Sequence, residues 1–346
     1  MAANVETMFA VGATPWHGLG TVLKEGTKLS IKEGLLESGL NWDVEKQPLI
    51  TVKKAQEQAR KLVVKILSEH NEDVDIDELL NEIQANVDSQ AITRLTDESV
   101  LGVVGARYEP LQNSKAFGFF QQFLDSGLCT LHTAGSLNNG KQVWVLAELD
   151  KEPIQIAGQN DCVSRFIMLS NSHDGKSSVR VGYTPIRIVC ANTLAMAERN
   201  GQTLRIRHTR NMEITLDRVK EIMNVANASF EATAEQYQHL AKSQVVCPAD
   251  LRNYVKVCLD MEQTADEDLS TRGRNIIDEV VSLCIAGKGN IDTPAEGTYW
   301  AAYNGVTEYL NHRKGRNQSS RLNSLWFGTN QSINIKALEV ATLMAK

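Results

Sequence analysis

The chain has 346 residues, of which 42% are hydrophobic and 23% charged, and its net charge is −6. That length holds about two domains with a real core, and the charge excludes a globally basic nucleic-acid binder, leaving only a local patch for such a role. The six cysteines form no C-x-x-C pair or zinc spacing, no apolar run approaches the roughly 18 residues of a membrane span, and the N-terminus shows no signal pattern. The expected setting is cytoplasmic, with the cysteines as small buried hydrophobes.

The first unusual stretch is Thr14-Pro15-Trp16-His17-Gly18-Leu19-Gly20. Gly18-Leu19-Gly20 begins like a dinucleotide-binding loop, but Leu23 stands where the third glycine belongs and no strong strand precedes it. Pro15 favours an extended Thr14. The stretch then reads as a plug built on Trp16, with Trp16 and His17 kept as candidate ligand contacts.

Trp42 to Val52 alternates like a strand. Lys53 to Asp97 is rich in Lys, Glu, Asp and Gln and reads as a helical insertion, acidic in its second half (Glu69, Glu72, Asp73, Asp75, Asp77, Glu78 and Glu82). Val100 to Tyr108 is a strand with glycines that mark close backbone approach. Asn113 to Gly127 reads as a helix capped by Asn113, with Phe117, Phe120 and Leu124 on one face.

Four strand-like runs follow: 128–136, 142–149, 163–170 and 178–183. Asn139-Gly140 and Asp174-Gly175 are hairpin signals between them. Successive hairpins make an antiparallel sheet, not a doubly wound parallel one. From about Thr209 the pattern turns helical: a long amphipathic stretch carrying Val219, Ile222, Ala226, Phe230 and Tyr237, a helix opened by Pro248, and three more to the C-terminus. The expected fold class is therefore α+β: residues 1–207 form an antiparallel sheet with helices and an acidic helical insertion at about 53–97, and residues 208–346 form an all-helical region. A Rad52-like annealing fold is one arrangement with those parts, by fold-level analogy.

The chemistry-bearing residues are few. Ala286 to Asn290 contains Gly-Lys, but Gly289 replaces the Ser or Thr of a phosphate loop. Asn171-Ser-His-Asp-Gly offers a base, His173, beside a carboxylate, Asp174. Each of its other residues also favours turns, so turn or ligand-contact chemistry is the stronger reading. Arginines are concentrated between Cys162 and Lys220, densest in "RIRHTR". Arg180, Arg187, Arg205, Arg207 and Arg210 could track a phosphate backbone, because the guanidinium fork matches phosphate oxygens. Arg313, Lys314 and Arg316 form a second cluster behind a helix rich in aromatics. Pairing of these cations with the acidic insertion or with a neighbouring subunit is the rival reading.

Taken together, "VETMFAVGATPWHGLGT", "LGVVGARYEPLQN", "TAGSL", "WVLAEL", "LSNSHDG", "VRVGYTPIRIVCANTL", "RIRHTRN" and "GTYWAAYNGVTEYLNH" resemble, in this order, the phage/plasmid-like protein family catalogued as domain of unknown function 932. The resemblance implies a mobile-element setting, in which proteins often handle single-stranded DNA. The expectation is a non-catalytic, oligomeric protein, a ring being one form, that binds single-stranded DNA in annealing or recombination without cofactor or metal. Two alternatives stay open. One is a protein-binding inhibitor of a host defence system, with a host or phage protein as partner. The other is a metal-dependent nuclease or nucleotide hydrolase using His17, His173 and Asp174.

Overall fold

The structure, a computed structural model, describes residues 5–12, 20–69, 87–158, 160–187, 192–193, 203–212, 230–291, 293–315, 321, 324–325 and 328–346. Trp16, His17, Arg316, and the acidic residues 72–82 lie outside them, as do Val219, Ile222 and Ala226.

Among the described residues nine strands form the main sheet: β1 (Val5–Val11), β2 (Thr21–Leu23), β6 (Cys129–Leu137), β7 (Gln142–Leu149), β8 (Ile154–Gln155), β9 (Cys162–Ser172), β10 (Val179–Arg187), β11 (Asn192–Thr193) and β12 (Thr203–Ile206). The central order is β10-β9-β7-β6-β1, with every neighbour antiparallel; β2 joins β1 in the one parallel pair described. Both hairpin signals act as turns. Asn138, Asn139 and Gly140 take positive φ between β6 and β7, as a tight hairpin demands, and Gly175 does so between β9 and β10.

A second sheet, β3 (Val44–Leu49), β4 (Val87–Arg94) and β5 (Val100–Gly105), is antiparallel with β4 at its centre. This corrects the reading of 53–97 as wholly helical. Helix α2 (Val52–Glu69) fills the first part, but the last residues are a strand paired on both sides. Ala91 and Ile92 are buried there, so packing overrides the polar composition. The two sheets and helices α1 (Ile31–Glu37), α3 (Asn113–Gly118) and α4 (Gln121–Asp125) enclose one core, including Phe9, Ile92, Phe117, Val145, Ile167 and Val181.

The helix expected over 113–127 is two short ones, and Asn113 is not its cap. Gln112 holds the cap position, while Asn113 is inside α3 and 1% exposed. Its amide donates to the backbone oxygens of Leu40 and Trp42, both at 3.2 Å.

The C-terminal part is helical as expected. A helical stretch 230–242, α5 (Pro248–Cys258), α6 (Thr271–Ala286), α7 (Tyr299–Glu308), a π-helical turn (Tyr309–Arg313) and α8 (Thr329–Met344) surround α7. Residues 299–307 of α7 are all buried, which is why its sequence is apolar nearly all round. Trp300, Tyr303, Tyr237 and Tyr254 are the largest buried side chains of this core. The helical part abuts the main sheet: Trp300 Nε1 donates to Asp161 Oδ2 at 2.8 Å, and Val163 of β9 belongs to the helical core. Among the described residues no helix is long and apolar enough to cross a membrane.

Candidate nucleic-acid interface

Three separate segments meet at the end of β9 and β10 that lies away from the helical part. The β9–β10 turn, residues 172–178, rests on β5. Gly102 of β5 has room for no side chain, because a Cβ there would run into the Asp174 backbone, and one on Gly175 would come within 2.7 Å of Val104 Cγ1. The chain after β5 then crosses this turn, and Tyr108 donates its hydroxyl to Ser172 O at 2.6 Å. The chain after β12 closes the group. The His208 ring stacks on Tyr108 with centroids 4.4 Å apart, and Glu109 N donates to His208 O at 3.1 Å.

Two histidines of this region are buried. His173, 0% exposed, meets Asn113 Oδ1 through Nε2 at 3.1 Å, and the Trp42 ring lies 5.3 Å away. The Asn113 amide nitrogen is taken up by backbone carbonyls, so its oxygen accepts from His173 Nε2; Asn171 Nδ2, 3.4 Å from the same Nε2, makes its shorter bond to Leu111 O at 2.9 Å. Burial drives the His173 pKa from 6.5 down to about 3, with the charges of His208 and Arg94 adding to the effect. His208 is also pushed down by burial, opposed by hydrogen bonds to the backbones of Glu109 and Ser177. Asp174, beside His173 in sequence, faces its own turn: Oδ1 accepts from Ser172 Oγ and from Lys176 N at 3.0 Å. The Asn171–Gly175 stretch is thus a buried neutral imidazole followed by an Asx turn. The structure does not bring the two into an acid–base pair. Among the described residues no group of three or more His, Cys, Asp or Glu is placed to hold a metal ion.

What these segments leave outside is positive. Arg107, Lys176, Arg205, Arg207 and Arg210 are exposed. Their neighbouring carboxylates are engaged: Asp174 accepts within its turn, with Lys176 Nζ 3.8 Å from its Oδ2, and Glu109 meets Lys46 Nζ at 2.9 Å. Arg180 and Arg205 sit directly opposite each other on β10 and β12, so they share a sheet face. The Arg180 guanidinium is held below its ordinary pKa by burial first and by Arg205 second.

The other expected contacts lie elsewhere. Arg187 pairs with Val163 at the far end of β10, at the seam with the helical part. It is seven positions from Arg180, an odd spacing that places the two positions on opposite faces and about 23 Å apart along the strand. Arg313 and Lys314 follow α7 in the helical part. Arg313 Nε lies 3.9 Å from Glu279 Oε1, and burial lowers the Lys314 pKa against the opposing charge of Asp260. The aromatic run ahead of them is interior, so it offers no bases a stacking surface. Gly287 ends α6, and Lys288 N donates to Glu308 Oε2 at 2.9 Å, so the Gly-Lys pair forms a helix C-terminus and not a phosphate loop.

Arg107 is the member of the basic surface that the linear sequence hides. It is an isolated cation in its own segment, whereas Lys176 stands within the basic stretch 162–220, and the packing of β5, the β9–β10 turn and β12 unites both with "RIRHTR". No curated protein and no solved structure matches the chain. The family model described as Domain of unknown function (DUF932) matches residues 100–326, which include all three segments of the basic surface, while β1 to β4 precede it.

Proposed function

The chain belongs to the DUF932 family, whose description leaves its activity open, and from that premise we propose that it is a non-catalytic protein binding single-stranded DNA through the phosphate backbone. The observation that carries this reading is the convergence of Arg107, Lys176, Arg205, Arg207 and Arg210 beside carboxylates that are already engaged. In a chain of net charge −6, a concentration of uncompensated arginine marks a place for an anion. Buried aromatics leave bases unstacked and free to pair, which suits annealing within a mobile element. A ring or other oligomer with a Rad52-like arrangement would line such surfaces up along one strand.

The test is binding of labelled single-stranded oligonucleotides across a salt series, with and without magnesium. Backbone binding predicts a steep loss of affinity with salt and no degradation. The change Arg205→Ala with Arg207→Ala weakens all sequences alike and lowers the slope of log K against log salt by about 1.4, two phosphates' worth. Degradation of the oligonucleotide means an enzyme instead. No binding at about 50 mM salt, where counterion release favours it, rejects the reading.

A further inference from the structure

At the opposite end of β9, where the sheet meets the helical part, lies an arginine that the basic surface does not include. Arg165 is 8% exposed. Its guanidinium sits over the Phe230 ring, 4.6 Å from the centroid. Nε and Nη1 are buried and donate no hydrogen bond among the described residues. The nearest carboxylate described is Glu231 Oε1, 3.8 Å from Nη1, on a side chain 64% exposed. That separation is beyond a hydrogen bond. The buried carboxylate four residues earlier, Asp161, accepts from Trp300.

Guanidinium cannot relieve its burial by losing a proton. A buried charge with open donors is costly unless a hydrogen-bonding counter-charge fills them. The ring of Phe230 supplies cation–π attraction but accepts no in-plane hydrogen bond. Glu231 is too far and too solvated to do so. Nε and Nη1 lie on different edges of the guanidinium, so each can donate singly to an anion oxygen, with the charge strengthening the bond.

We propose that Arg165 is the anchor of a phosphate site at the seam between the sheet and the helical part, with Glu231 as the loose counter-ion that a bound phosphate displaces. The site is about 17 Å along β9 from the level of Arg180, and it stands whether or not the basic surface binds DNA. The phosphate is either the free ion or the phosphomonoester of a nucleotide.

Inorganic phosphate, titrated at constant ionic strength with chloride as the replaced anion, is the first probe, and the midpoint of thermal unfolding is the readout. The expected result is a saturable rise of the midpoint with phosphate. Arg165→Gln abolishes the rise. Glu231→Gln moves half-saturation to severalfold lower phosphate, because it removes the competing charge. Arg205→Ala with Arg207→Ala leaves the rise intact, which separates this site from the DNA surface. An adenosine 5′-monophosphate arm separates the sources: tighter half-saturation than phosphate assigns a nucleotide, and equal half-saturation assigns the free ion. A wild-type midpoint that does not saturate, or an unchanged response in Arg165→Gln, overturns the proposal. Should Arg165→Gln fail to fold, Glu231→Gln decides alone: a response equal to or weaker than wild type overturns it.

Discussion

His173 and Trp300 show how single side chains connect distant parts of this chain. His173 links the β9–β10 turn to α3 through Asn113. Because its pKa is about 3 in the folded protein against an ordinary 6.5, the unfolded chain takes up a proton that the folded one refuses between those values. Stability therefore falls as pH drops from 6.5 towards 3. His132 and His208, also lowered by burial, act in the same direction. In His173→Gln, urea unfolding between pH 6.5 and 5 should show a dependence shallower by about 1 kcal/mol per pH unit, approaching the loss of one proton's linkage. An undiminished slope assigns the acid sensitivity to other groups. Trp300 ties the helical part to the sheet through the buried Asp161 carboxylate. Trp300→Phe keeps most of the ring but removes the donor, and is expected to cost about 1–3 kcal/mol in denaturant unfolding. A loss below a few tenths would mean that the hydrogen bond adds nothing net.

At the scale of elements, the hairpins were legible because their turn chemistry is local. Asn139, Gly140 and Gly175 take the positive φ that their residue types accept, and the alternating runs beside them fall in β6, β7, β9 and β10. Pro248 likewise opens α5 at the position its fixed φ favours. Strand β4 was hidden because its burial comes from partners on both sides, not from its own composition. Asn113 has the side chain of a cap, but long-range contacts with Leu40, Trp42 and His173 claim it instead. The meeting of β5 with the β9–β10 turn rests on Gly102. Gly102→Ala should destabilise the protein by about 1–3 kcal/mol, since the clash is with backbone and not with a yielding side-chain tip. The same change should also weaken oligonucleotide binding, because it separates Lys176 from Arg107. Loss of stability with unchanged binding would show that the three segments do not act as one surface.

Across the whole molecule, the main sheet carries the DNA surface proposed above at one end and the helical part at the other, so the two basic clusters do not act alike. In the same salt series, Arg313→Ala with Lys314→Ala should change the slope less than Arg205→Ala with Arg207→Ala. Arg313 faces Glu279, and Lys314 is partly withdrawn from solvent. Equal effects would place both clusters on the bound strand. The sequence by itself determined the α+β class, the hairpins, the helical C-terminal part and the excess of arginine around "RIRHTR". Each follows from local turn chemistry, periodicity or composition, which need no distant partner. Only the tertiary structure decided that His173 is interior and meets Asn113 instead of Asp174, that Arg107 joins the basic surface, and that Arg165 is enclosed at the seam. Burial and the company of side chains from remote segments are set when sheets and helices pack, and no window of the chain contains them.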